Sequence, residues 1–148
     1  MSDRWSKCMS GPISTAATTQ VGFVGSAAAG RIHVYDWLFG HVGAADDTVI
    51  HNYISRYTAI PTAAASGGEP VALDMAAASH GTTSMYASTT GTVANCLIAV
   101  PTNQRASHRW VAAPDGELVI PSTTLNGIVY YAVGTITTNM LTTFHWVS

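Results

Sequence analysis

The residues able to do acid–base, nucleophilic or metal chemistry are few in this 148-residue chain, and they fall into no spacing that such chemistry requires. Glycoside hydrolysis needs two carboxylates. The candidates are Glu69 in Gly-Gly-Glu-Pro, Glu117 and six aspartates. Nothing in their spacing favours a pair, and turn chemistry accounts for Asp46, Asp47 and Asp115. The Gly-x-Ser-x-Gly signature of a serine nucleophile is absent. Cys96 lies in the apolar run 93–100, where a thiol is expected to be inert. The glycine-bounded stretch 25–30 has neither the lysine nor the following helix pattern of a phosphate loop.

Six histidines, His33, His41, His51, His80, His108 and His145, raise the question of a metal. Alternate residues share a strand face, so a small β-barrel site commonly offers His-x-His. No such pair occurs, and neither His-Glu-x-x-His nor Cys-x-x-Cys is present. His51 and His145 are the pair that separate strands would have to bring together. Asp46-Asp47 offers calcium two adjacent carboxylates without further spaced oxygens. The expectation is no catalytic residue, no metal and no cofactor, hence no enzyme. Two distant cysteines are too few for a disulfide scaffold, so Cys8 reads as a free thiol and Cys96 as a small buried hydrophobe. Residues 1–17 lack the apolar core of a secretory signal, so synthesis in a cytoplasm is expected.

The elements that position these groups read as strands almost throughout, from alternation, Val/Ile/Thr/Tyr enrichment and closely spaced turn residues. Residues 1–18 read as an N-terminal arm or irregular lead-in, and 19–148 as one domain. Strands are expected over 20–24, 31–39, 48–58, 71–75, 82–88, 92–100, 107–112, 117–120, 128–136 and 140–147, eight or nine of them firm. Along 31–39, Ile32, Val34, Asp36 and Leu38 share one face and His33, Tyr35, Trp37 and Phe39 the other, so both faces look covered. The stretch 61–70 reads as a loop because its prolines forbid a central strand, and 76–80 as at most a helical turn. Ala113-Pro114-Asp115-Gly116 places Pro and Gly where a tight turn wants them, predicting a hairpin between 107–112 and 117–120. The fold class is all-β: a single β-sandwich or jelly-roll domain of about eight strands, with short or no helices.

Composition narrows the partners. Only 14 residues are charged, 9% of the chain, where about a quarter is usual. Their place is taken by 22 Ala, 19 Thr, 13 Ser and 13 Gly. A net charge of -2 with one lysine excludes a strongly basic nucleic-acid binder. The 13 aromatics argue against disorder, and no apolar run approaches the roughly 18 residues of a membrane helix. Exposed aromatics could stack on sugars, with Trp5, Trp37, Trp110, Trp146 and the Tyr130-Tyr131 pair available. A neutral surface also suits a subunit pressed against other chains, because few charges must lose their water. Arg4, Trp5 and Lys7 of the arm are candidate contacts, since Trp and Arg are enriched at interface anchors.

The stretch 101–121, Pro-Thr-Asn-Gln-Arg-Ala-Ser-His-Arg-Trp-Val-Ala-Ala-Pro-Asp-Gly-Glu-Leu-Val-Ile-Pro, followed by Asn126-Gly127-Ile-Val-Tyr-Tyr, resembles small structural proteins of tailed bacteriophages, the capsid decoration or cement proteins. The resemblance is most specific over residues 101–133. It implies a homotrimeric β-sandwich or jelly-roll protein on the virion capsid surface. There it would sit between capsomers of major capsid protein and stabilise the head, with no catalytic residues. A carbohydrate- or receptor-binding fibre domain is the alternative. Within the motif Trp110 and Leu118 are expected across the hairpin. Arg105 and Arg109, four apart, share a strand face if no bulge intervenes. Arg109, beside Trp110, is expected to bond within the subunit, and Arg105 to reach an outside partner.

Overall fold

Alternation of apolar and polar residues produces the strands, and the terminal one shows the rule most simply. In Asn139–Val147, Met140, Thr142, Phe144 and Trp146 are buried while Leu141, Thr143, His145 and Val147 take the opposite face. The computed structural model describes residues 3–11, 18–25, 30–44, 46–58, 64–66, 70–74, 83–87, 93–123, 126–136 and 138–148. Over these it holds twelve strands. They are β1 (Arg4–Gly11), β2 (Thr18–Gly25), β3 (Ile32–Val42), β4 (Val49–Tyr57), β5 (Ala64–Ser66), β6 (Val71–Ala72), β7 (Thr83–Ala87), β8 (Val93–Asn103), β9 (His108–Val111), β10 (Leu118–Ile120), β11 (Gly127–Val133) and β12 (Asn139–Val147).

The strands form two antiparallel sheets, as expected of an all-β sandwich. Sheet A runs β10-β3-β12-β1-β6, with β9 also on β3, and sheet B runs β5-β7-β2-β11-β4-β8. Successive strands cross repeatedly between the sheets: β1, β3 and β12 lie in A, and β2, β4 and β11 in B. The facing sides meet in one core, where Trp37, Phe39, Phe144 and Trp146 of sheet A oppose Ile50, Ile54, Ile128 and Tyr130 of sheet B. The Trp37 and Tyr130 rings pack edge-on at 5.2 Å. Fully burying a large apolar side chain contributes about 1.5–3 kcal/mol, so this aromatic layer is the main adhesive. Two of its polar atoms are paired: Trp37 Nε1 donates to Thr142 Oγ1 at 2.9 Å, and Tyr130 Oη donates to Asn52 Oδ1 at 2.8 Å, whereas the buried Trp146 Nε1 meets no hydrogen-bond partner among the described residues. Gly127 admits a close approach between strands, because a Cβ there would lie 2.4 Å from the Val24 carbonyl oxygen.

Three expectations are corrected. The lead-in is not irregular: β1 pairs with β12 from Arg4↔Val147 to Gly11↔Met140 and sits inside sheet A, not at its rim. Its Trp5 and Met9 are buried and Arg4 and Cys8 exposed, a period of two made faint by a lysine, Lys7, at an intervening inward register position. The hairpin does not form either. β9 pairs with Asp36–Phe39 and β10 with Ile32–Val34, so both follow the same edge of the eleven-residue β3. The Pro114-Asp115 turn is real, with Asp115 at φ 62° and Gly116 N donating to the Ala113 carbonyl at 2.8 Å. It is an excursion within one edge strand, so Trp110 lies opposite Trp37 and Leu118 opposite Val34 rather than across from each other. Finally, the stretch read as a loop over 61–70 contributes the short strand β5, paired with β7. The rest of that stretch up to residue 69, apart from β5, and the turn expected at 76–80, lie outside the described residues.

Candidate functional site

A β-bulge creates the main polar constellation. In the β3–β12 register His145 opposes Asp36 but Trp146 opposes Val34, which leaves Tyr35 as the extra residue. Before the bulge Ile32 and Val34 point into the core; after it Trp37 and Phe39 do. Asp36 is thereby turned to the outer face of sheet A, beside His145 of β12 and Arg109 of β9.

Asp36 remains only 2% exposed because these neighbours cover it. Arg109 grips it side-on, Nε donating to Oδ1 at 3.0 Å and Nη2 to Oδ2 at 2.7 Å. His145 Nδ1 meets Oδ2 at 2.9 Å. Burial works to raise the Asp36 pKa, but the hydrogen bonds from Arg109 and His145, with their charges, outweigh it and hold the carboxyl below its ordinary value. An ionised carboxylate only accepts, so Nδ1 of His145 carries the proton in this contact. In return, the bond to Asp36 raises the Arg109 pKa above its ordinary value. The Tyr35 ring stacks on His145 at 6.2 Å.

Around this centre the outer face exposes several apolar side chains, where the solvent side of an antiparallel sheet commonly carries polar ones. Val111 (56% exposed) follows Arg109 on the same face of β9, and Leu141 and Val42 continue along β12 and β3. Val71 of β6 stands opposite Ser6 of β1. Ser6 in turn stands opposite His145, so serine, histidine and carboxylate follow one another across β1, β12 and β3. Among the described residues, however, no hydrogen bond joins Ser6 to His145, the first contact a nucleophile relay needs.

The six contacts expected from sequence part ways here. Trp5 is buried in the core opposite Trp146 at 4% exposure, which removes it as a surface anchor. Lys7 is half-buried opposite Phe144, and Trp110 is half-buried against the core. Arg4 is exposed and grips Asp74 through Nε and Nη2 at 3.2 and 2.7 Å. Mutual hydrogen bonding is the leading cause in that pair and raises the Arg4 pKa while lowering that of Asp74. Arg109 bonds within the subunit, as expected. Arg105 does too: its Nε meets Asp47 Oδ1 at 2.7 Å in the turn between β8 and β9, so it neither shares a strand face with Arg109 nor stands alone for a partner. That turn, with His41, Gly43, Ala44 and Gln104, borders a shallow open cleft.

Placement bears on the remaining candidate residues. His51 and His145 lie on different sheets, and no group of three or more His, Cys, Asp or Glu among the described residues could hold a metal ion. Both cysteines are free and exposed; Cys96 sits on the edge strand β8, not in the core. Tyr130 and Tyr131 point to opposite faces, and Tyr131 stacks on Tyr53 at 5.0 Å and 17°, directly across the β4–β11 pair. These two outer tyrosines turn ring faces on each other rather than presenting a flat platform for a sugar. The sequence reading placed Asp36 on a strand face and weighed His145 as a metal ligand but did not link the two, although a lone Asp in an apolar strand signals a buried charge in need of a partner.

Compared with known protein families, with curated proteins and with solved structures, the chain matches none.

Proposed function

We propose that this chain is a non-enzymatic virion structural protein. It would act as a capsid decoration or cement protein that seats the outer face of sheet A on major capsid protein and bridges neighbouring capsomers. The observation that carries this reading is that face itself. Val42, Val71, Val111 and Leu141 are exposed on it, and its buried carboxylate, Asp36, is satisfied within the sheet. Such a face loses little hydration when covered by protein.

Strand order adds support. Counting β9 and β10 as one edge strand, eight elements form two layers, β1-β12-β3-β9/β10 against β2-β11-β4-β8, which we read as a jelly roll, an architecture frequent in viral shells. That is a likeness of fold and ranks below the face as an argument. The stretch 101–133 that resembles phage decoration proteins supplies Arg109 and Val111 of the face. The experiment is co-sedimentation of the purified chain with particles of the phage that encodes it, beside a Val111→Glu/Leu141→Glu variant. The reading expects the native chain to pellet with particles and the folded variant to stay in the supernatant. Equal pelleting of both would remove the sheet-A face from the mechanism.

A further inference from the structure

The Arg109 guanidinium is committed along one edge only. Its Nε–Nη2 edge holds Asp36, while the side chain as a whole is 65% exposed. A guanidinium carries five N–H donors arranged as two forks, side-on through Nε and one Nη, and end-on through the two Nη atoms. The Asp36 contact uses the first fork. We infer that the second, end-on fork of Arg109 is the anchor for a carboxylate on the partner protein, set within an apolar surface that covers Val111 and Leu141.

Three observations converge on this partner chemistry. Arg109 is held in place by a carboxylate that is itself buried and pinned from the other side by His145, so little side-chain freedom is left to lose on binding. The donors left over suit a planar, two-oxygen anion better than a single acceptor, because the fork is satisfied as a pair. Next to the fork the sheet offers Val111 on the same strand and Leu38 directly opposite, so water is displaced around the contact rather than retained. Arg4 repeats the side-on grip with Asp74 on the same face, but there both partners are exposed, which leaves Arg109 as the rigid anchor.

This inference rests on the proposed attachment to capsid protein, and its test separates the two. Binding of the full chain to purified particles is measured at two salt concentrations for the native chain, Arg109→Lys and Arg109→Ala. It is repeated with particles whose surface carboxylates have been amidated by carbodiimide and ethanolamine. Circular dichroism and thermal melting identify variants that remain folded. The expected result is a loss of about thirty-fold or more for Arg109→Ala, the scale of an interface hot spot. Arg109→Lys should fall in between because it keeps charge but not the fork, and amidated particles should bind the native chain as weakly as untreated particles bind Arg109→Ala. Native affinity in folded Arg109→Ala, or undiminished binding to amidated particles, overturns the carboxylate anchor and leaves the attachment standing. No binding of the native chain at any salt overturns both.

Discussion

Asp36 and His145 face each other across β3 and β12 and meet at 2.9 Å on the side of the sheet turned away from the core. Only the bulge at Tyr35 makes this possible. Without it Asp36 would continue the inward series of Ile32 and Val34 into the aromatic core, away from Arg109 and His145.

Asp36→Asn is expected to lower unfolding stability by about 1.5 kcal/mol, the lower end for hydrogen bonds to charged groups because the Arg109 partner is solvent-screened. The effect depends on pH with a definite sign. The folded carboxyl titrates below the unfolded value of about 3.9. Its contribution is therefore complete above that value and disappears as pH falls through the folded pKa. Urea unfolding of both proteins should show a constant gap above about pH 5 that narrows below about pH 4. A gap that persists undiminished in acid would mean that Asp36 acts through shape rather than charge.

Tyr130→Phe removes one oxygen from the core. Asn52 Oδ1, now bonded to the tyrosine hydroxyl at 2.8 Å, would be left buried without that donor, since its amide nitrogen is already directed at Thr102 Oγ1 and the Val100 carbonyl. The expected cost is about 1–3 kcal/mol, read as a lower melting temperature with unchanged far-ultraviolet circular dichroism. A melting temperature equal to the native one would show that the bond contributes nothing.

Trp5→Ala tests the placement of β1. A free arm would tolerate the change. An indole buried opposite Trp146 in the sandwich core should cost about 3–5 kcal/mol when truncated. Denaturant titration decides between these, and a loss below about 1 kcal/mol would contradict the position of β1 within the sheet.

The strand that alternates cleanly, β12, is legible from the chain itself, because one buried face forces period two, whereas β4 and β11 bury consecutive residues and are legible from their β-branched and aromatic content. The same logic misleads on β3, where one extra residue at the bulge reverses which parity faces the core. β1 is hard to see for a related reason: its inward positions mix Trp5 and Met9 with Lys7. The Pro114-Asp115-Gly116 turn is legible, but its outcome depends on the length of β3, which has room for both β9 and β10 along one edge. The polar centre is the least legible part. Arg109 lies 73 residues from Asp36 and His145 109 residues from it, so only the folded sheet brings them together.

The most direct measurement of the central proposal, that the chain is a capsid-bound virion protein, is quantitative mass spectrometry of purified virus particles from the source that encodes it. The account predicts that the protein co-purifies through a density gradient at a fixed ratio to the major capsid protein. Its absence from the particle band while it is present in the infected lysate would contradict it.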